Sequence, residues 1–385
     1  MRNLKPTKII FLTMFFYAVH IGMTAYVNSS FAEGLGLSNM HVSLVYIAGA
    51  LITILSLFIV PRLTNKIGNR KTLITLFSLV IVSLLCFIHS SSIFLVIPFL
   101  ALYLGMHSVI LFELDVLLEH FSDESLTGQI RGAFLTVLNI AWTISPFLAG
   151  YILDQSGFQN IYIIGLAATI LVAIVIAGSF KKQSINKTHI QTPREAFHTI
   201  TKNKDLFGVF SLSTLLQYFY AVMIIFSPIY LNTIGFSWTE IGLIFALMHI
   251  PFLLLEYPLG RLADKYIGEK EIMIIGLVVM AIACLGFLYT TEPAFMIWAG
   301  IFIISRIGAS FLETGTETYF FKKVEHDDVE IISSFRNASP VAIILGSLTG
   351  FLINFTGIDL QYVFVATSLL LLAGILPALR INDTR

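Results

Sequence analysis

Residues 61–71 read Pro-Arg-Leu-Thr-Asn-Lys-Ile-Gly-Asn-Arg-Lys, and residues 260–270 read Gly-Arg-Leu-Ala-Asp-Lys-Tyr-Ile-Gly-Glu-Lys. Each polar stretch separates two long apolar runs. The copies lie about 200 residues apart, and other matches share that shift. Gly36-Leu37-Ser38 answers to Gly235-Phe236-Ser237. Gly150, Gly157 and Tyr162 answer to Gly350, Gly357 and Tyr362. Cys86 and Cys284 are nearly equivalent. The chain is therefore read as one design used twice.

Working outward, the apolar runs recur from end to end. The 385 residues are 57% hydrophobic and 12% charged, with mean hydropathy +0.87. A water-soluble domain carries about twice that charged fraction. Lipid is the expected solvent. A helix crossing the hydrocarbon core needs about 20 mostly apolar residues. Twelve such spans are read: 8–30, 40–60, 72–90, 93–119, 131–153, 158–180, 205–232, 238–258, 270–289, 293–321, 331–354 and 360–380. The runs are long and lack alternation, which favours helices over barrel strands. The fold class is all-α integral membrane: two pseudo-symmetric six-helix bundles, 1–180 and 205–385, joined by a basic cytoplasmic linker at 181–204.

The cations test the span count. With the N-terminus in the cytoplasm, 22 of the 23 lysines and arginines fall on the cytoplasmic side. The remaining one, Arg306, lies near the middle of a span. This is the positive-inside pattern, and one missed span would invert every later loop. Both termini are expected in the cytoplasm, and the basic N-terminus is read as leading into an uncleaved first helix. The net charge of zero conceals this polarised layout; the basic face marks topology and is no sign of nucleic acid. The two cysteines lie in separate apolar spans and form no disulfide framework or metal cluster.

The two polar stretches resemble the cytoplasmic signature of the major facilitator superfamily, Gly-x-Leu-Ala-Asp-Arg-x-Gly-Arg-Lys. The first copy keeps Leu63, Gly68, Arg70 and Lys71 but has Pro61 and Asn65 where the pattern has Gly and Asp. The second keeps Gly260, Leu262, Ala263 and Asp264, with one extra residue before Gly268. The fifth span resembles the family's antiporter signature in softened form, at Gly132, Ala141, Ser145-Pro146 and Ala149-Gly150. Small residues there permit close helix approach in lipid. The resemblance implies the twelve-helix fold, a membrane-surface latch drawing on Asn65, Arg70, Glu119, Arg131 and Asp264, and a pathway lined by spans 1, 4, 7 and 10. The chain departs from the family's proton-coupled members in two places. Ala101 stands where many carry an arginine, and the first span has no deep acid.

Ionisable residues inside a bilayer are costly and usually face a cavity or a partner. Span 10 holds Arg306, Glu313 and Glu317, spaced seven and four apart and so on one helical face. Arg306 is expected to hold an anionic or polar solute, and Glu313 to take up and release a proton. A purely structural Arg–Glu network is the competing reading. Span 4 offers His107, Glu113 and Asp115. Span 1 carries the stripe Tyr17, His20, Thr24, Asn28, and span 7 carries Ser213, Gln217, Tyr220, Ser227. His20 has the side chain that titrates nearest neutrality, although a lone intramembrane histidine more often only packs.

No phosphate-binding loop, metal-ligand spacing or nucleophile elbow appears, so no enzyme and no cofactor is expected. Transport is expected to draw on a gradient through alternating access. The leading expectation is a monomeric, proton-linked exporter of a small amphipathic compound in the cytoplasmic membrane. The alternatives are uptake or exchange of a small polar or anionic metabolite, and a non-transporting sensor.

Overall fold

Among the described residues six glycines have positive φ: Gly36, Gly68, Gly157, Gly235, Gly268 and Gly357. They form three pairs at the repeat shift. The φ values are 94° and 105°, 86° and 96°, and 75° and 75°. A side chain with a Cβ rarely adopts such a conformation, so these turns need glycine. The repeat seen in the sequence is thus a repeat of backbone turns.

The computed structural model describes residues 6–90, 92–120, 127–179, 200–262, 267–323 and 338–382. Among these, the elements are helices: α1 Pro6–Ala25, α2 Asn28–Gly34, α3 Asn39–Ile67, α4 Asn69–His89, α5 Ile93–His120, α6 Thr127–Ser179, α7 Lys204–Thr233, α8 Trp238–Leu247, α9 Ile250–Leu262, α10 Glu269–Tyr289, α11 Phe295–Lys323, α12 Ala338–Phe355, α13 Tyr362–Ala373 and α14 Ile375–Arg380.

Among the described residues, eleven spans are long and apolar enough to cross a membrane. One of them runs over 44 residues, Thr136–Ser179. That is far more than one crossing needs, and its backbone leaves the helical region at Gly157. It supplies two crossings, the fifth and sixth spans of the sequence reading. Large apolar side chains such as Leu55, Ile59, Ile174, Leu254, Ile282 and Leu369 are exposed along these helices. An apolar exterior of this extent fits a lipid solvent.

Three spans expected to be continuous are broken, each for a local reason. The first bends at Tyr26–Val27. There the Thr24 hydroxyl bonds the carbonyls of His20 and Ile21 and competes with the backbone ladder. The eighth breaks at residues 248–249, just before Pro251, which has no N–H for the Leu247 carbonyl. The twelfth breaks at Gly374. Pro377 there leaves the Ala373 carbonyl unserved in the same way.

The chain divides into two compact units. The first is Met1–Thr188 with Ser237–Ala246, and the second is His189–Phe236 with Leu247–Arg385. In the first, α1 packs along α6, α3 along α5, and α4 against α5 and α6. In the second, α7 packs along α12, α9 along α11, and α10 against α11 and α13. These are the same pairings under the repeat. Glycines set the crossings: a Cβ on Gly105 would lie 2.6 Å from Ile52 of α3, and one on Gly276 would lie 2.7 Å from the Gly308 carbonyl of α11.

Candidate functional site

The second unit holds the charged group. Arg306 lies on α11, 2% exposed. Its Cζ is 5.0 Å from the ring centre of Phe219 and 5.2 Å from that of Tyr220, both on α7. Aromatic faces attract a guanidinium by about 0.5–2 kcal/mol. They do not use up its hydrogen-bond donors, and Nη1 is buried with no hydrogen-bond partner among the described residues. Two turns along α11, Glu313 accepts a hydrogen bond of 2.7 Å from the Tyr220 hydroxyl. Tyr220 therefore joins the cation to the acid, with Phe252 of α9 beside it at 6.4 Å between ring centres. Gln217, one turn before Tyr220, and Glu317, one turn after Glu313, are half-buried.

The first unit holds a network without formal charge. His20 on α1 is 1% exposed, and His107 on α5 is 9% exposed. The Nε2 of His20 is 2.7 Å from the Tyr103 hydroxyl, and its Nδ1 is 3.1 Å from Thr169 Oγ1 on α6. Tyr103 donates to Thr24 Oγ1 at 2.9 Å. His107 Nδ1 meets the Tyr17 hydroxyl at 2.9 Å. Asn28 of α2 accepts from the Tyr162 hydroxyl at 3.1 Å. The stripe Tyr17, His20, Thr24, Asn28 thus points into one buried polar seam.

Glu113, expected among the substrate or coupling residues, is held by side chains of two neighbouring helices. Thr64 Oγ1 donates to its Oε1 at 2.9 Å, and Asn69 Nδ2 donates to its Oε2 at 2.8 Å. Both carboxylate oxygens are occupied where α3 turns into α4. Asp115 is half-buried on α5. Of the expected latch, Asn65 is exposed and Arg70 half-buried. Asp264 and the side chains of Glu119 and Arg131 lie outside the described residues.

The softened signature on α6 is a packing surface. A Cβ on Gly22 of α1 would lie 2.8 Å from that of Ser145. A Cβ on Gly150 would run into the Trp238 carbonyl of α8, and one on Gly242 would run into the Pro146 carbonyl. Beside this crossing Asp154 caps α8. Its Oδ1 accepts from the Trp238 N–H at 3.0 Å and its Oδ2 from the Thr239 N–H at 2.7 Å. A carboxylate is favoured at a helix N-terminus, both as hydrogen-bond acceptor and against the helix dipole.

Sequence reasoning missed Tyr103, Thr169, Phe219 and Asp154. Tyr103 had a usable signal, because it lies one helical turn from His107. Thr169, Phe219 and Asp154 had none, since their neighbours come from distant helices.

The Major Facilitator Superfamily model matches residues 10–249 and 209–385. An uncharacterized MFS-type transporter of Methanocaldococcus jannaschii is 23% identical over 389 residues, covering 98% of each chain. A multi-drug resistance efflux pump PmrA homolog of Lactococcus lactis is 24% identical over 260 residues, covering 65% of this chain and 62% of the relative. Among solved structures, the nucleoside transporter NupG superposes with a TM-score of 0.78 at 14% identity, over 98% of this chain and 99% of its own. A bacterial homolog of the human lysosomal transporter Spinster, in an inward-facing and occupied conformation, gives 0.77 at 13% identity, over 98% and 96%. These two likenesses show the fold. The matched family, the repeated helical units and the apolar exterior agree: the chain belongs to the major facilitator superfamily and is a multi-pass membrane transporter, not an enzyme.

Proposed function

We propose that this transporter exports a small amphipathic compound bearing an acidic group, linked to proton movement through alternating access. One observation carries the reading: the buried Arg306 guanidinium lies against two aromatic faces with a donor left over. Arg306 makes no ion-pair contact among the described residues and Glu313 reaches it only through the local field, so its burial is costly. An incoming carboxylate or phosphate would relieve that cost, while Phe219, Tyr220 and Phe252 would receive an apolar body. Glu313 shares Tyr220 with Arg306. Protonation of Glu313 and binding at Arg306 would then be coupled through one hydroxyl and one local field. Similarity to an efflux pump and the small-residue surface of α6 support export.

The reading includes a monomer in the cytoplasmic membrane, with both termini in the cytoplasm and no nucleic acid partner. It treats 1–180 and 205–385 as the moving halves and 181–204 as their linker. Binding is tested by a thermal-shift screen of the purified protein against amphipathic acids, metabolites and drugs. Stabilisation by acids in the wild type, lost in Arg306→Gln, is the expected result. Equal stabilisation of both proteins removes Arg306 from the site.

Uptake or exchange of a small anionic metabolite is the second reading, and Arg306 favours it equally. Direction of flux in everted vesicles separates the two. Specific binding without flux of any solute would indicate a sensor instead.

A further inference from the structure

The eighth span is divided between the two units. Its first part, α8, belongs to the first unit as far as Ala246, whereas α9 belongs to the second. The break between them, at residues 248–249, comes just before Pro251. Under the repeat the counterpart of this span is α3, one unbroken helix over Asn39–Ile67 that stays within its own unit. Something must therefore hold α8 in a unit that the rest of its span does not share.

The hydrogen bonds at its N-terminus provide that hold. The backbone N–H groups of residues 237–240 open α8 with no partner inside the helix ladder. Two are served locally. The Glu240 carboxylate accepts from the Ser237 N–H at 3.0 Å, and Ser237 Oγ accepts from the Glu240 N–H at 3.3 Å. The other two, of Trp238 and Thr239, donate to Asp154 of α6, one to each carboxylate oxygen. Close approach makes this possible: a Cβ on Gly242 would lie 3.1 Å from the Gly150 Cα. Trp238 packs on the cluster that holds Val27, Ala149 and Leu153, and Phe245 meets Tyr26 at 4.5 Å between ring centres. The equivalent positions do otherwise. Asn354 answers to Asp154 and bonds the Gly350 carbonyl of its own helix at 2.7 Å. Gly350 answers to Gly150, and Phe226 of α7 fills the place of its Cβ. Ser38 answers to Ser237, and its side chain caps no N–H of α3 but meets His41 Nδ1.

Resting on the proposed alternating access, we infer that Asp154 is a latch residue of the transport cycle. Bonded to α8 it keeps that helix on α6, and its release lets α8 turn about residues 248–249. The residue type suits the task, because a carboxylate serves two N–H groups at once, one with each oxygen. An amide has one acceptor oxygen, and alanine has none. The latch can open at small cost. Its bonds lie at exposed positions, so water can replace Asp154 on both N–H groups. Turning at the break forfeits no ladder bond there, since Pro251 has no N–H for the Leu247 carbonyl. In the proposed topology residue 154 lies at the outer end of its span, so the released form is the one that opens outward. Asp154 touches no solute in this role; it positions a helix.

The test is distance measurement between spin labels on the full chain in liposomes, with no solute present. Cys86 and Cys284 are first replaced by alanine. Labels are then carried by Gln155→Cys on α6 and Leu243→Cys on α8, both exposed positions. A control pair, Gln155→Cys with Leu85→Cys of α4, reports on the packing of α6 against α4. The expected result for the first pair is a mainly short separation. Asp154→Ala should raise the ratio of long to short about tenfold, as loss of a helix cap does, and Asp154→Asn should raise it less. The control pair should keep one separation in all three proteins. A first pair that Asp154→Ala leaves unmoved overturns the inference. So does a parallel change in the control pair, which would make Asp154 a support of the fold and no latch. Arg306 and Glu313 take no part in this measurement, so failure here leaves their reading standing, and failure of acid binding at Arg306 leaves this one.

Discussion

Where α4 begins, the buried Asn69 donates to Glu113 of α5; where α10 begins, the buried Glu269 receives Lys322 of α11. Positions 69 and 269 correspond under the repeat and follow equivalent positive-φ glycines. The same two helices are joined in both units, but by an amide–acid pair in one and an acid–cation pair in the other. The deeper sites differ in the same way. The first unit buries imidazoles bonded to neighbouring hydroxyls, with His107 Nε2 left without a partner among the described residues, whereas the second buries a guanidinium and a carboxyl, with Nη1 of Arg306 unused. Backbone turns and helix pairings have been held in common while the chemistry they carry has separated.

The largest effect that would sharpen this contrast is at Arg306. Arg306→Gln should weaken binding of an acidic ligand about 100-fold, since hydrogen bonds to charged groups contribute about 1.5–3 kcal/mol each. His20→Gln should leave that binding within a few-fold. Isothermal titration with an acid identified by the thermal-shift screen checks both.

Next comes the clamp in the first unit. Glu113→Ala strands the Thr64 hydroxyl and leaves Asn69 only its bond to the residue 113 carbonyl, and should cost about 2–3 kcal/mol of stability. Ligand affinity should be unchanged. Equilibrium unfolding in detergent measures the first and titration the second. If binding fell instead, Glu113 would belong to the solute pathway after all. Its counterpart, Glu269→Gln, should cost only about 1 kcal/mol, because Lys322 is partly exposed and water can serve it.

The frame of the repeat was legible in the sequence because its signals are local. Gly68 and Gly268 stand out as glycines in polar turns, and Arg306 as a lone cation in an apolar run. Arg306 was found by its cost in lipid, which composition alone reveals. The network around His20 was half legible. The α1 stripe follows helical spacing, but Thr169 is an ordinary hydroxyl whose role depends on Gly165 bringing α6 close. The partners of Glu113 were not legible because a buried acid reads the same in sequence whether it faces a solute or two neighbouring helices. The helix breaks near Pro251 and at Gly374 were missed because hydropathy does not register a missing N–H.

A smaller effect tests the crossing at α6. Gly150→Ala should cost about 1–3 kcal/mol through its clash with the Trp238 carbonyl. Gly36→Ala, where nothing lies within 4 Å, should cost only the backbone strain of positive φ. Thermal unfolding of the two variants side by side separates packing from strain. Smallest is Tyr17→Phe, which removes the bond to His107 Nδ1 and should cost about 1 kcal/mol with no change in acid binding.

The most direct trial of the central claim is flux of the identified acid into everted membrane vesicles under an imposed proton gradient. The account predicts accumulation when the lumen is acid, abolished by collapsing the gradient and absent in Glu313→Gln. Accumulation that ignores the gradient, or that persists at full rate in Glu313→Gln, would contradict it.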